Sequence, residues 1–377
     1  MKIAIDCRSL RKKPVGVPNF LISFIKEIAN QHPDWSFYLL SNEDFSEEAK
    51  SRLPDNKSIH KVIAPLPVIP RIAVIWYLIK LPILVSRLDV NLFLTPIPNL
   101  PIFLFRKAKT LIVVHDMVYK LFPKTMSFQN WLINFFLHDR SFRKADYIWA
   151  VSNYTKTETE AFFPTRKCSK IFVGSSIDKS IFFKADISEK RKSELLSRLN
   201  LNQKFLLFVG TLEPRKNLSF LLSLLPDLIN NGFELLIVGA KGWGKDKLPE
   251  LESLTDIQRT KIKFSGFISN DDLAVSYAAA SVYVSTSLNE GFGLPQLEAM
   301  SCGCPVVTSH NSAMIEIAEG AGETVKGWEK NDWISAIIKV TANREAYVKR
   351  GLQRAQEYNW ETVIKNLTLY LEENQGH

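Results

Sequence analysis

Two spacings of apolar residues alternate along this chain. Short continuous apolar runs mark strands buried on both faces of a parallel sheet, and between them apolar residues recur at every third or fourth position, as in an amphipathic helix. In the first half the runs predict strands at Lys2–Asp6, Ser36–Ser41, Leu92–Thr95, Thr110–His115 and Tyr147–Ser152, with helices at Pro18–Gln31, Phe128–Arg143 and Tyr154–Phe163. In the second half they predict strands at Phe205–Gly210, Glu234–Gly239, Lys261–Gly266, Val282–Ser285 and Pro305–Thr308. Helical periodicity closes the chain at Glu329–Thr341, Arg344–Tyr358 and Glu361–Glu373. No internal repeat or low-complexity tract interrupts this order. Such alternation predicts an α/β fold of two Rossmann-like, parallel-sheet domains that hold ligands at the C-terminal ends of their strands.

A length of 377 residues allows about two cores. The charged run KADISEKRK, from Lys184 to Lys192, lacks an apolar stripe and reads as a boundary. The expected division is 1–182 and 183–358, followed by a closing helical segment at 359–377.

Charge changes the picture of the first half. The net charge is +9, and the excess of Lys and Arg lies wholly within residues 1–180. The same half holds IAVIWYLI (72–79) and NLFLTPIPNLPIFLF (91–105), interspersed with Arg71, Lys80, Arg87, Arg106, Lys107 and Lys109. The first run falls far short of the ~20 residues of a membrane span, and Pro96, Pro98 and Pro101 break the second. Two readings stay open: a basic, apolar surface lying on an anionic membrane leaflet, or buried elements with cations scattered over solvent. No zinc pattern, aromatic RNA-binding motif or recognition helix accompanies the charge, so nucleic acid is not an expected partner. Cys7, Cys168, Cys302 and Cys304 form no CxxC pair and no metal set with the six histidines, which predicts a reducing compartment. The opening MKIAID is a short strand that meets a charge at once, unlike a secretory signal.

The densest chemistry lies at LNEGFGLPQLEAMSCGCPVV, residues 288–307. The turn residues Asn289-Glu290-Gly291 place Glu290 on a loop. Pro295, which needs no N–H, marks the first helical position and puts Glu298 in the first or second turn. Gly291 and Gly293 let a ligand approach the backbone, and a helix start favours an anion such as a diphosphate. Carboxylates here repel phosphate, so Glu290 and Glu298 are expected to hold hydroxyls of a ribose or hexose. The plainer alternative is one capping and one surface glutamate.

Upstream, FLLFVGTLEPRKNL (205–218) sets Arg215 and Lys216 between a glycine turn and a helix. Cations at that end oppose the helix dipole, so neutralising a departing diphosphate accounts for them better than helix stability does. In the first half, a strand end delivers His115-Asp116 and another Ser152-Asn153, where Asp116 and Ser152 also suit as caps. Arg8, Arg11, Lys12 and Lys13 cluster ahead of Gly16 with no acidic residue among them, a candidate phosphate-facing loop. The turn Ser309–Ala313 offers backbone N–H groups to sugar or phosphate.

Taken together, GTLEPRKNL (210–218), FSGFISNDDL (264–273), the Glu290 to Glu298 spacing and CGCPVV (302–307) resemble the retaining glycosyltransferases of family 4, which have the GT-B fold of two Rossmann-like domains facing across a cleft. IAIDCRSL near the N-terminus and VVHD (113–116) also fit. The resemblance implies a GDP- or UDP-sugar donor held mainly by the second domain, an acceptor held mainly by the first, and no required metal or other cofactor. It implies that Glu290 faces the donor sugar, that Glu298 binds the ribose, that Arg215 and Lys216 meet the diphosphate and that His115 lies on the donor side. Gly266 and Phe267 lie where the nucleobase would meet backbone, and Gly210, Thr211, Gly291, Phe292, Gly293, Leu294 and Gly16 complete the expected donor site. The helix after Trp360 is expected to cross back to the first domain. Val15-Gly-Val-Pro-Asn departs from the usual Gly-hydrophobic-Gly pair, and Met314-Ile315-Glu316 from the usual proline before glutamate.

The expected function is retaining transfer of a hexose, mannose in a mannosyltransferase-like reading, to a lipid-linked or polysaccharide acceptor in cell-surface glycan synthesis, at the cytoplasmic face of a membrane. Two other classes stay open: a sugar-nucleotide enzyme such as an epimerase, and a non-catalytic scaffold that keeps the fold.

Overall fold

The computed structural model describes residues 1–65, 76–102, 107–123, 128–164, 171–184, 187–240 and 248–374. Seven strands form one sheet: β1 (Lys2–Asp6), β2 (Ser36–Ser41), β3 (Ile59–Ile63), β4 (Leu92–Thr95), β5 (Lys109–Val114), β6 (Tyr147–Ala150) and β7 (Ile171–Val173), in the spatial order β3-β2-β1-β4-β5-β6-β7. Six form a second: β8 (Phe205–Val209), β9 (Glu234–Val238), β10 (Ile262–Gly266), β11 (Val282–Ser285), β12 (Val306–Ser309) and β13 (Glu323–Val325), in the order β10-β9-β8-β11-β12-β13. Every recorded pairing is parallel. Both orders are doubly wound, the Rossmann-like arrangement expected from the alternation of runs.

Central strands are continuous apolar runs because helices cover both their faces. β4, β6, β9 and β11 are buried along their whole lengths. The first core gathers Ala4, Phe93, Ile112 and Ile148 around Trp76 and Phe142, and the second gathers Leu206, Leu235 and Val282 with Leu221, Leu225 and Trp333.

The chain divides into two compact units, Met1–Ser176 joined by the segment from Asn359, and Ile177–Tyr358. The division falls after Ser176 because Phe182 packs with the second unit, its ring 6.1 Å from Tyr277 and its carbonyl accepting from Ser301 Oγ at 2.8 Å. The charged run is only in part a connector. Ser188 caps a helix at Glu189–Leu199, accepting from Arg191 N at 3.3 Å, while residues 185–186 lie outside the described ones.

The C-terminal helix Trp360–Glu373 is part of the first unit. Trp360 sits 5.1 Å from Phe20 and 6.2 Å from Trp149, and Gln31 Nε2 donates to Glu361 O at 3.1 Å. Of IAVIWYLI, residues 72–75 lie outside the described ones, as do 103–105 of the second run. Trp76 and Tyr77 are buried, as the reading of buried elements expects, whereas Ile79 and Ile83 are 53% and 43% exposed. Among the described residues no helix is long and apolar enough to cross a membrane.

Candidate active site

Each sheet reverses its winding beside its first strand, between β1 and β4 and between β8 and β11. Such a switch point opens a crevice at the C-terminal strand ends. In the second unit β8 leads to Gly210–Lys216 and β11 to Thr286–Glu290, so neighbours in the sheet bring distant residues together.

Lys216 Nζ lies 2.5 Å from Glu290 Oε1, and Arg215 Nη1 donates to Oε2 at 3.0 Å. Ser287 Oγ donates to Oε1 at 2.7 Å. Arg215 also donates to Asn289 O at 2.5 Å and lies 3.6 Å from Glu213. The Glu290, Arg215 and Lys216 side chains are only 12–13% exposed. Burial alone would push the Glu290 carboxyl up. The charges of Lys216 and Arg215 and the hydrogen bonds from Lys216 and Ser287 override burial and hold it at about 2. Within the chain, the partners of this carboxylate are thus one hydroxyl, Ser287, and two cations.

Local geometry keeps the clamp in place. Pro214–Lys216 form a single turn ended by Asn217 in the left-handed region, φ 50°. Thr286 Oγ1 donates to the carbonyls of Lys216 and Asn217 at 3.2 and 3.0 Å, and Leu288 N donates to Arg215 O at 2.8 Å. Gly210 leaves room for the lysine, since a Cβ there would fall 3.2 Å from Lys216 Cε. A Cβ at Gly239 would fall 1.9 Å from Gly210 O, which only glycine avoids. Gly239 and Ser287 were not singled out from sequence; the glycine closing the ELLIV strand was the available signal.

The turn Ser309–Ala313 braces Glu290. Glu290 N donates to Ser312 Oγ at 3.0 Å, Ala313 N donates to Glu290 O at 3.2 Å, and Ser309 Oγ and Asn311 Nδ2 both donate to Ser287 O. Ser312 adopts φ 50°, a conformation costly for a residue with a Cβ.

The helix carrying Glu298 spans Leu294–Ser301. Gly293, φ 96°, is its cap, so Pro295 takes the second helical position instead of the first. Glu298 lies in the second turn, where the buried Tyr277 hydroxyl donates to its Oε2 at 3.0 Å. Gly291, Phe292 and Gly293 are buried, and the Phe292 ring rests 5.7 Å from Tyr358. Leu294 and Thr211 are half-buried. Gly266 ends β10 after a register shift against β9 and has φ 66°; Phe267 beyond it is 38% exposed.

His115, past β5 in the first unit, donates from Nε2 to Pro96 O at 2.9 Å, because a carbonyl can only accept. Burial pushes its pKa down against the field of Asp116 and the Pro96 bond, which leaves Nδ1 as an acceptor. Asp116 caps Val118 N at 3.1 Å and Ser152 caps Thr155 N at 3.0 Å. Gly16, φ 64°, is exposed at the start of the helix Val17–Gln31. The cation cluster beside it is not a bare phosphate loop. Asp6, two residues upstream, takes Arg8 at 2.7 Å, while Glu43 takes Arg11 at 2.6 Å and Glu48 lies 3.9 Å from Lys13, carboxylates brought by the fold from elsewhere in the chain. Among the described residues no three His, Cys, Asp or Glu side chains are grouped to hold a metal, and Cys7, Cys302 and Cys304 are buried thiols; Cys168 lies outside them.

Residues 189–356 match the family model described as glycosyl transferases group 1, a stretch that includes Arg215, Lys216, Glu290 and Glu298. The O-antigen chain mannosyltransferase B of Escherichia coli is 39% identical over 166 residues, 42% of this chain and 43% of that protein. The serotype-specific mannosyltransferase WbdA of Escherichia coli is 25% identical over 280 residues, 71% of this chain and 34% of that protein. The chain thus spans less than half the length of these relatives. Anabaena Alr3699/HepE, solved in complex with UDP-glucose, aligns with a TM-score of 0.74 and 18% identity over 99% of this chain and 100% of its own. That likeness shows the fold to be GT-B.

Proposed function

We propose that this chain is a retaining, metal-independent glycosyltransferase that moves a hexose, mannose foremost, from a GDP- or UDP-linked donor to a lipid-linked or polysaccharide acceptor in cell-surface glycan synthesis. The observation that carries this reading is the clamp of Lys216 and Arg215 on Glu290 at the β8/β11 switch point. Glycosyl transfer expels a nucleoside diphosphate, and fixed cations stabilise that charge as it develops. Two side chains thereby perform the electrostatic task that a divalent ion performs elsewhere. The match to the glycosyl transferases group 1 model and the mannosyltransferase relatives support the same assignment.

In the proposed reaction the acceptor oxygen bonds to the anomeric carbon on the face from which the diphosphate leaves. The bond to the diphosphate breaks, and the acceptor proton passes to the departing phosphate oxygen. Glu290 faces the donor sugar once the diphosphate shares its cations, and neutral His115 accepts a hydroxyl at Nδ1. Glu298, oriented by Tyr277, takes the ribose hydroxyls. Gly210, Thr211, Gly266, Phe267 and the Gly291–Leu294 turn meet the nucleotide through their backbone, with Gly16 on the first unit's loop.

The test is acceptor-dependent release of nucleoside diphosphate from GDP-mannose or UDP-glucose, with and without EDTA, and NMR of the product anomer. Retained configuration and indifference to EDTA are expected. An isomerised nucleotide sugar with no diphosphate released overturns the reading, and an inverted anomer overturns retention. The protein is further proposed to lie on the cytoplasmic face of a membrane, through the exposed Ile79 and Ile83 beside Lys80 and Arg87. Flotation with anionic but not zwitterionic vesicles is expected.

A further inference from the structure

Arg8 stands just past β1, at the switch point of the first sheet, and is held unlike a solvated surface arginine. Its Nε and Nη2 donate to the two oxygens of Asp6 at 2.9 and 2.7 Å, and its backbone N–H donates to the same carboxylate at 3.2 Å. The guanidinium carbon lies 4.0 Å from the centroid of the Tyr77 ring and 5.6 Å from that of Trp76. Asp6 is buried, as are both rings, while the Arg8 side chain keeps 19% of its surface exposed. A planar fork pinned along one edge and over one face has its remaining edge, Nη1, unpaired among the described residues.

Tyr77 connects this fork to a second group. Its hydroxyl donates to the Asn99 carbonyl, beyond β4 on the other side of the switch point, and Asn99 Oδ1 is buried with no hydrogen-bond partner. Ser9 Oγ and Asn42 Oδ1, just past β1 and β2, are buried without partners as well. Unpaired buried polar atoms are costly and rare, and three at one edge of a sheet mark a place that a polar ligand completes.

We propose that Arg8 and Asn99 recognise a neutral sugar hydroxyl of the acceptor, which accepts from Arg8 Nη1 and donates to Asn99 Oδ1. This deepens the glycosyltransferase reading and rests on it. Asp6 already cancels the Arg8 charge, and an amide oxygen repels an anion, so a phosphate or carboxylate gains little here. A hydroxyl is both donor and acceptor and satisfies both groups. The occupant is therefore the neutral end of a glycan, not the phosphate of a lipid carrier. Asp6 and Tyr77 fix the fork before the ligand arrives, so little ordering is left to be done on binding.

Calorimetry on the full chain in the presence of GDP, with α-linked mannobioses and a mannose phosphate as probes, tests the assignment. A mannobiose is expected to bind at least about tenfold more tightly than the phosphate. Arg8→Lys and Asn99→Leu are each expected to weaken it about ten- to a hundredfold, with GDP affinity unchanged. Asn99→Asp, which keeps an acceptor oxygen at the same place, is expected to retain much of the binding. No mannobiose binding by the native chain, unchanged affinity in Arg8→Lys, or preference for the phosphate overturns the proposal. Acceptor-dependent GDP release from GDP-mannose, measured separately on the same protein, reports on the transferase reading: its absence beside intact mannobiose discrimination sinks that reading and leaves Arg8 and Asn99 as a sugar site that serves no acceptor.

Discussion

Glu290 holds Lys216 and Arg215 in place, and in the proposed reaction it would compete with a diphosphate for the same cations. Glu290→Gln keeps the shape and removes the charge, so affinity for GDP alone should hold or rise, while transfer falls about a hundred- to a thousandfold. Calorimetry and steady-state turnover separate the two; reduced GDP affinity with normal turnover would contradict the assigned roles. Its depressed carboxyl contributes stability that is whole above the ordinary carboxylate value of 4.5 and is lost as pH falls from there to about 2, so it adds no pH break near neutrality. Glu298→Gln should weaken donor binding about tenfold with little change in turnover at saturation. Unchanged donor affinity refutes the proposed ribose contact. The residue types of this site were legible in the sequence, because cations ahead of a helix and glutamates around a glycine turn need a reason. The clamp between them was not, since it depends on β8 and β11 being neighbours, and no local spacing reveals that.

At the scale of elements, most of the strands that were legible have largely buried runs, although β10, a sheet edge, was legible too. β3, β7 and β13 are edges too and escaped because β3 exposes His60 and Lys61, and β7 and β13 are only three residues long. Edge strands need no continuous apolar run and so leave little signal. The short helix Val118–Leu121 is tied to Phe128–Lys144 by Asp139, which accepts from Tyr119 Oη at 2.9 Å and from Lys120 Nζ at 2.7 Å. His138, on the longer helix, meets the Tyr119 ring edge-on at 5.1 Å. Burial pushes its imidazole down to about 4, against the opposing fields of Asp116 and Asp139. Its depressed value contributes stability that is whole above the ordinary histidine value of 6.5 and is lost as pH falls toward about 4. His115 acts in the same direction. The first unit should therefore melt at progressively lower temperature across that window, and His138→Phe should flatten the dependence. An equally steep profile in the variant would assign the effect elsewhere.

At the scale of the whole molecule, the two units differ in how the chain builds them. The second is one continuous stretch, whereas the first is completed only when the C-terminal helix arrives from beyond Tyr358. Trp360 enters an aromatic cluster with Phe20, Phe24 and Trp149, and the same helix bonds through Thr368 to His32 and through Asn374 to Tyr147. Trp360→Ala leaves a cavity in that cluster and should cost the first unit about 3–5 kcal/mol. All of these contacts lie within the first unit, and every proposed nucleotide contact except His115 and Gly16 lies in the second. The variant should therefore unfold in two steps, an early one reported by tryptophan fluorescence and a later one still shifted upward by GDP. A single lowered transition insensitive to GDP would mean that the second unit does not hold the proposed nucleotide site on its own core.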